Sequence, residues 1–374
     1  MSNSPRPEPH TPAAPSYGGG GLADAELGRM LCRPIVLMTP ERTVHPPSWL
    51  AHVPFAFWLI DVLRPRVFVE LGTHAGNSYA AFAQAVQHLG LDAAGYAVDT
   101  WAGDPQAGFY DESVYTDWKT YHDQRYSAFS SLVRTTFDDA VGHFSDGSID
   151  LLNLDGFHSR DAVRHDFETW LPKVSTRGVV LLHDINVRER DFGAWEVWSG
   201  IRATYPSFEF LHGHGLGVAV IGSEIAPELE WLVRRDEART IAVRRFFART
   251  GSGVLAQHMA DRAGEMLRQH VSAVESGAVE ALAAASAQHA AGLPALAALD
   301  ARLRDQLREL MIGREALAAQ LAESSQQLTE TSQQLTERSQ QLTETSQQLT
   351  ASDSDRVRSS IAVRRRNACR RGGT

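Results

Sequence analysis

Short apolar runs recur through the first two thirds of the chain and alternate with stretches of helical periodicity. Val67–Leu71 (VFVEL), Gly95–Asp99 (GYAVD), Ile149–Leu154 (IDLLNL) and Gly178–His183 (GVVLLH) have strand length and little polar interruption. Phe208–Leu211 and Leu216–Ile221 flank the glycine-rich HGHG and read as a closing hairpin. Ser78–Leu89 and Asp161–Val174 are amphipathic, the second with Val163, Phe167, Trp170 and Leu171 on one face. Apolar strands bounded by helices are buried on both faces, which predicts an α/β fold around a mostly parallel sheet.

The pattern changes after the hairpin. From Pro227 to Leu321 the chain is rich in Ala, Leu and Arg and poor in Gly and Pro, which favours helix. A seven-residue repeat follows, with Leu321, Leu328, Leu335, Leu342 and Leu349 at strict heptad spacing. Leu303, Leu307, Leu310 and Leu317 extend the seam upstream. The second seam position holds Ser324, Thr331, Arg338 and Thr345, so the coiled coil is weak. Two readings stand: a homo-oligomer joined through residues 303–349, or a marginally helical low-complexity extension. The expected organisation is a disordered tail over 1–21, a catalytic domain with a helical lead-in over 22–225, a helical region over 226–320, heptads over 321–350 and an Arg-rich disordered tail over 351–374.

Composition narrows the function classes. The chain has 374 residues, 43% of them hydrophobic, enough for one sizeable core with appendages. No stretch reaches the roughly 18 apolar residues of a membrane span. The N-terminal MSNSPRPEPHTPAAPSYGGGG lacks the apolar core of a signal peptide. Cys32 and Cys369 lie at opposite ends and offer no disulfide framework. A reducing, cytoplasmic setting is expected. The Arg-rich tail is read either as solvated or as a peripheral contact to acidic lipid. A net charge of -9 argues against a nucleic-acid partner.

Two segments carry candidate chemistry. In VFVELGTHAGNS a buried strand ends at Glu70, Gly72 and Gly76 flank a short loop, and a helix opens at Asn77. Glycines let backbone approach a ligand closely, and a helix N-terminus offers free N–H groups. Asp99 ends the next strand, where a carboxylate can accept hydrogen bonds from a ribose diol. The alternative is a tight turn with no ligand. His74 occupies the place of the second glycine of the dinucleotide fingerprint, so the spacing is E-x-G-x-x-x-G.

The second segment joins two strand ends. LLNLDGFH supplies Asp155 and His158, and LLHDIN supplies His183, Asp184 and Asn186. Neighbouring strands lie about 5 Å apart, so Asp155 and Asp184 can share a cation; oxygen ligands beside an imidazole suit Mg²⁺ or Mn²⁺. The third ligand is His183, Asn186 or water. Otherwise both acids are satisfied by backbone N–H groups without metal. His158, with an ordinary pKa near ~6.5, is the candidate general base, with His183 as runner-up. The alternative for His158 is a helix-capping or supporting role. His165 falls on a helix, and His212 and His214 are read as shaping the hairpin turn or edging the site. A long loop after Asp99 holds Trp101, Phe109, Tyr110, Tyr115, Trp118, Tyr121 and Tyr126, which suits either a sugar acceptor or a local aromatic core.

The acid and glycine spacing resembles the class I S-adenosylmethionine-dependent methyltransferases. The run from Ile149 to Ile185 looks especially like the bacterial methyltransferase type 24 family, near the metal-dependent sugar- and macrolide-modifying O-methyltransferases. The likeness spans about residues 50–222. It implies a Rossmann-like seven-stranded sheet with a reversed final hairpin. It also implies S-adenosyl-L-methionine at Glu70, Gly72, Thr73, Gly76 and Asp99, with Trp101 against the adenosine. Asp155, Asp184 and His183 become the metal set, and Asp155 with His158 the catalytic pair. The expected reaction is methyl transfer to a hydroxyl of a small-molecule or glycan acceptor. Two rivals are an NAD-dependent oxidoreductase, disfavoured by His74, and an inactive methyltransferase-like scaffold that oligomerises through the heptads.

Overall fold

The computed structural model describes residues 21–106, 108–189, 191–234 and 236–288, with 301, 302, 304, 305 and 308 beyond them. The N-terminal tail up to residue 20, the heptads and the Arg-rich tail lie outside the described residues, as does almost all of the proposed 303–349 oligomerisation seam. One helix, α1 (Gly21–Leu31), belongs to a separate unit from the rest of the described chain.

The remaining residues build around one sheet. Its strands are β1 (Val67–Leu71), β2 (Ala94–Asp99), β5 (Ser130–Arg134), β6 (Ile149–Leu154), β7 (Val174–His183), β8 (Ser207–Phe210) and β9 (Leu216–Val220). A two-stranded ribbon, β3 (Gly103–Asp104) with β4 (Gly108–Phe109), stands apart from it. The sheet order is β5-β2-β1-β6-β7-β9-β8. The first five strands run parallel, and β9 is antiparallel to both β7 and β8. The Rossmann-like sheet and its reversed closing hairpin are therefore both present. Chain direction away from β1 reverses between β2 and β6, and in open α/β sheets ligands bind at such a switch point, beyond the strands' carboxyl ends.

The apolar runs explain the central strands. Every residue of β6 is buried, and so are four of the five in β1. Two polar residues of β6 are buried with partners. Asp150 accepts from the Arg66 N–H at 2.8 Å and from the Ser175 hydroxyl at 2.6 Å. Asn153 donates to Glu70 Oε2 at 2.8 Å. The edge strand β5 (SSLVR) is half polar and has only five residues, so its pattern is weak from sequence.

Helices α3 (Asn77–His88) and α6 (Arg160–Trp170) form where the periodicity placed them. Val163, Phe167 and Trp170 face the core, whereas Leu171 falls in a 3₁₀ turn. The aromatic segment after Asp99 is chiefly helical: α4 spans Glu112–Arg125, capped by Asp111 accepting from the Ser113 N–H. Helix α5 (Phe137–Val141) and helix α7 (Ala194–Thr204) complete the crossovers. Helix α2 (Val53–Leu63) is nearly all apolar and buried because α3 and the long α9 (Glu237–Gln288) both pack against it. Phe247 of α9 packs edge-on to Phe55, Trp58 and Phe210. A short α8 (Pro227–Val233) buries Leu229, Trp231 and Leu232. Among the described residues no helix is long and apolar enough to cross a membrane.

Candidate functional site

The glycine loop after β1 is tied down on every side. Gly72 has φ +86°, and a β-carbon there would meet the Asp155 carbonyl oxygen at 2.2 Å. Gly76 has φ +83°, and its β-carbon would meet the Trp118 ring at 2.4 Å. Both positions thus require glycine for contacts within the protein itself. His74 adopts φ +49°, a left-handed conformation uncommon in residues other than glycine. Its carbonyl oxygen accepts from Trp101 Nε1 at 2.8 Å, which joins the loop to the segment after β2. Arg42, unremarked in the sequence pattern, donates from Nε to the Ala75 carbonyl at 2.8 Å and lies over the Trp118 and Tyr121 rings.

Asp99 ends β2 as expected and faces this loop. Its carboxylate accepts from the N–H of His74 at 2.8 Å and of Trp101 at 2.7 Å. Burial raises its pKa, and those N–H groups pull it part of the way back. Each carboxylate oxygen has a second lone pair for a ligand hydroxyl. Glu70 is fully buried at the end of β1, and burial pushes its carboxyl up to about 8. Its Oε1 and the neighbouring Thr73 hydroxyl are buried without a well-formed hydrogen bond. Glu70 also has the Ser78 and Thr73 side chains beside it, and polar atoms this loosely bonded next to a loop with two left-handed glycines fit a polar ligand that adds partners.

Asp155 and Asp184 come together one strand further along. Asp155 follows β6, anchored by its N–H donating to the Leu71 carbonyl at 2.8 Å. Asp184 follows β7 with φ +60°, a left-handed conformation uncommon in residues other than glycine. His158 Nε2 lies 3.2 Å from Asp155 Oδ1 and 3.1 Å from Asp184 Oδ2. His183 Nδ1 lies 3.0 Å from Asp155 Oδ1 and 3.4 Å from Asp184 Oδ1. One ligand atom from each of these four residues falls within 4.8 Å of all the others. The four are held by unlike means. The His158 ring stacks on Phe192, with centroids 4.9 Å apart and planes 8° from parallel, and its carbonyl accepts from the Gly193 N–H. His183 Nε2 donates to the Gly213 carbonyl at 3.2 Å, in the HGHG turn.

The charges follow from this packing. Burial opposes a charged His183, but the Asp155 and Asp184 carboxylates outweigh it and push the ring up to about 9. Burial likewise opposes ionised Asp155, but His183 and His158 hold it below the usual carboxylate range.

Three sequence readings shift here. Asn186 points away from the cluster and donates to the Leu211 carbonyl at 3.1 Å. His214, read as shaping a turn or edging the site, is at the site's edge, its Nδ1 3.1 Å from Asp184 Oδ1. Trp118 and Tyr126 are buried, and Tyr121 half-buried, in an aromatic cluster with Tyr79 and His122. Trp101 is 1% exposed, enclosed beside Tyr115. Of the seven aromatic residues in that segment, Phe109 on β4 is the one widely exposed. Sequence reasoning missed His52, which is fully buried against the His183 and His212 rings and donates to the same Gly213 carbonyl at 2.9 Å. No local pattern signals it, because η2 (Leu50–His52) is apolar on both sides of this residue.

Comparisons with known proteins bear on this region. An uncharacterized protein, y4gI, of Sinorhizobium fredii (strain NBRC 101917 / NGR234) is 49% identical over 187 residues, 50% of this chain and 20% of its own length. The present chain thus spans about a fifth of that relative. Among solved structures, a methyltransferase from Geobacter sulfurreducens aligns with 17% identity and a TM-score of 0.34, covering 53% of this chain and 87% of its own. The O-methyltransferase TomG of Streptomyces achromogenes, in complex with SAM, aligns with 14% identity and a TM-score of 0.35, covering 54% and 89%. Residues 69–185 match the family model described as a methyltransferase domain. That stretch, about a third of the chain, is similar to a methyltransferase domain, and it holds the glycine loop, both strand-end acids and the histidine pair.

Proposed function

We propose that the chain transfers a methyl group from S-adenosyl-L-methionine to a hydroxyl oxygen, with a divalent cation held between Asp155 and Asp184. The observation that carries this reading is the placement of two unlike sites on adjacent strands. A glycine loop with Asp99 lies beyond β1 and β2, and the Asp155–His158–His183–Asp184 cluster lies beyond β6 and β7.

The sulfonium donor brings an already activated methyl group, so the protein's task is alignment and proton removal. Asp99 and the loop from Gly72 to Gly76 hold the nucleoside, and Glu70 and Thr73 supply polar contacts to its amino-acid end. Asp155, Asp184 and His183 would hold the cation, which would lower the pKa of an acceptor hydroxyl. His158 accepts the hydroxyl proton at Nε2. It is the more exposed of the two clustered histidines, with 14% of its side chain open against 2% for His183. We assign the acceptor to a sugar hydroxyl of a glycan precursor or glycosylated metabolite. The β3–β4 ribbon supports this, since it carries exposed Phe109 and its Gln106 side chain accepts from the His158 N–H at 3.0 Å.

Calorimetric titration with S-adenosylmethionine tests the donor, with and without Mg²⁺ and beside Asp99→Ala. Micromolar binding lost in the variant supports the reading. Absence of binding under every condition removes it in favour of a non-catalytic scaffold.

A further inference from the structure

We infer that the cluster beyond β6 and β7 selects a nitrogen-accepting first-row transition ion, of the Fe²⁺, Co²⁺ or Zn²⁺ kind, over Mg²⁺. The inference deepens the proposed function and rests on its reading of this cluster as a cation site. It turns on which atoms face the two carboxylates.

His183 is oriented by the Gly213 carbonyl. A carbonyl oxygen only accepts, so Nε2 carries the hydrogen and Nδ1 is the atom aimed at Asp155 and Asp184. Histidines that bind metals are held this way, with the far ring nitrogen donating to a backbone carbonyl or a carboxylate. The same carbonyl also accepts from His52 Nε2, and His52 closes the back of the His183 ring, with centroids 5.7 Å apart. His158 presents Nε2 to both carboxylates at once and is locked by the Phe192 stack. In the proposed reaction that nitrogen takes the acceptor's proton, so the fixed donor set is one imidazole nitrogen, His183 Nδ1, and two carboxylate oxygens.

That balance decides the ion class. Mg²⁺ favours all-oxygen surroundings and retains much of its water, whereas imidazole raises affinity along the series from Mn²⁺ toward Cu²⁺. The His183 nitrogen is fixed by the hairpin before any ion arrives, so its contribution carries little ordering cost, and the ion takes the place of the proton that Nδ1 otherwise shares with Asp155.

The test uses the full chain freed of metal and titrated with Co²⁺ alone, read by visible absorption, then challenged with Mg²⁺. The expected result is a stoichiometric cobalt band that survives about tenfold excess Mg²⁺, consistent with the affinity order for nitrogen ligands. His183→Asn should shift the band and weaken Co²⁺ binding while circular dichroism stays unchanged, and His158→Asn should leave the band in place. Equal competition by Mg²⁺, or a cobalt band indifferent to His183→Asn, would overturn the inference and leave the cation reading in place. Absence of both band and binding heat for every ion would overturn the inference and the cation together. S-adenosylmethionine titration of the same sample then reports separately on the methyl-donor site.

Discussion

The carbonyl oxygen of Asp155 lies where a side chain on residue 72 would have to begin: a β-carbon built on Gly72 meets it at 2.2 Å. The Gly72 N–H donates to Val98, and the Asp155 N–H donates to Leu71, so this close approach stitches β2, β1 and β6 together at their carboxyl ends. The two candidate sites share that seam. Gly72→Ala should therefore cost about 2–5 kcal/mol, combining left-handed strain with overpacking. Gly90→Ala is the control. It has φ +59° and no neighbour within 4 Å of the new carbon, so strain alone costs about 1–2 kcal/mol. Urea unfolding of both variants checks the difference.

Glu70 makes stability fall as pH rises. Its carboxyl stands at about 8 in the folded chain against 4.5 for an unburied one, with burial the main cause. The group's favourable contribution is complete below pH 4.5 and is lost as pH rises through 8, because the unfolded chain gives up its proton first. The slope reaches about 1.4 kcal/mol per pH unit within that window. Glu70→Gln should remove this slope, so the two proteins diverge most at the alkaline end in denaturant titrations run across pH.

His158 and Asp99 should separate chemistry from binding. His158→Asn is expected to lower turnover by about 10²–10⁴-fold, the usual worth of a positioned general base. Its S-adenosylmethionine affinity should stay unchanged. Asp99→Ala should do the reverse at low donor concentration, because it also frees the N–H groups of His74 and Trp101. A turnover assay at saturating and limiting donor distinguishes the two patterns.

Helix α9 is needed for the sheet's outer layer. Phe247 is fully buried among Phe55, Trp58 and Phe210, so Phe247→Ala should cost about 3–5 kcal/mol. Arg244 also donates from Nε to the Glu209 carbonyl at 2.7 Å. A chain ending at residue 225 should bind a hydrophobic dye and melt earlier than one ending at residue 288. Equal melting temperatures would show that α9 contributes nothing to this layer.

Much of this was legible from local pattern. Continuous apolar runs marked β1, β2, β6 and β7, since a strand buried on both faces has few polar positions. Acids at or near the ends of those runs marked the sites, because a carboxylate inside a buried strand needs a dedicated partner, as Asp150 has in Ser175, whereas the strand ends open toward a ligand. The reach of α4 was not legible: its aromatic residues show little amphipathic contrast, and their burial depends on Tyr79 and Arg42 from distant segments.

The sequence alone determined the order of the strands along the chain, the glycine spacing and the acids that end them, all of which follow from neighbours a few residues apart. The tertiary structure decided that the HGHG turn returns 30 residues after His183 to hold its ring, that His214 reaches Asp184, that Asn186 turns away, and that His52 stands behind them all. Those choices depend on how β9 reverses beside β7 and on which groups then lie within hydrogen-bonding distance, and no pattern confined to one segment encodes them.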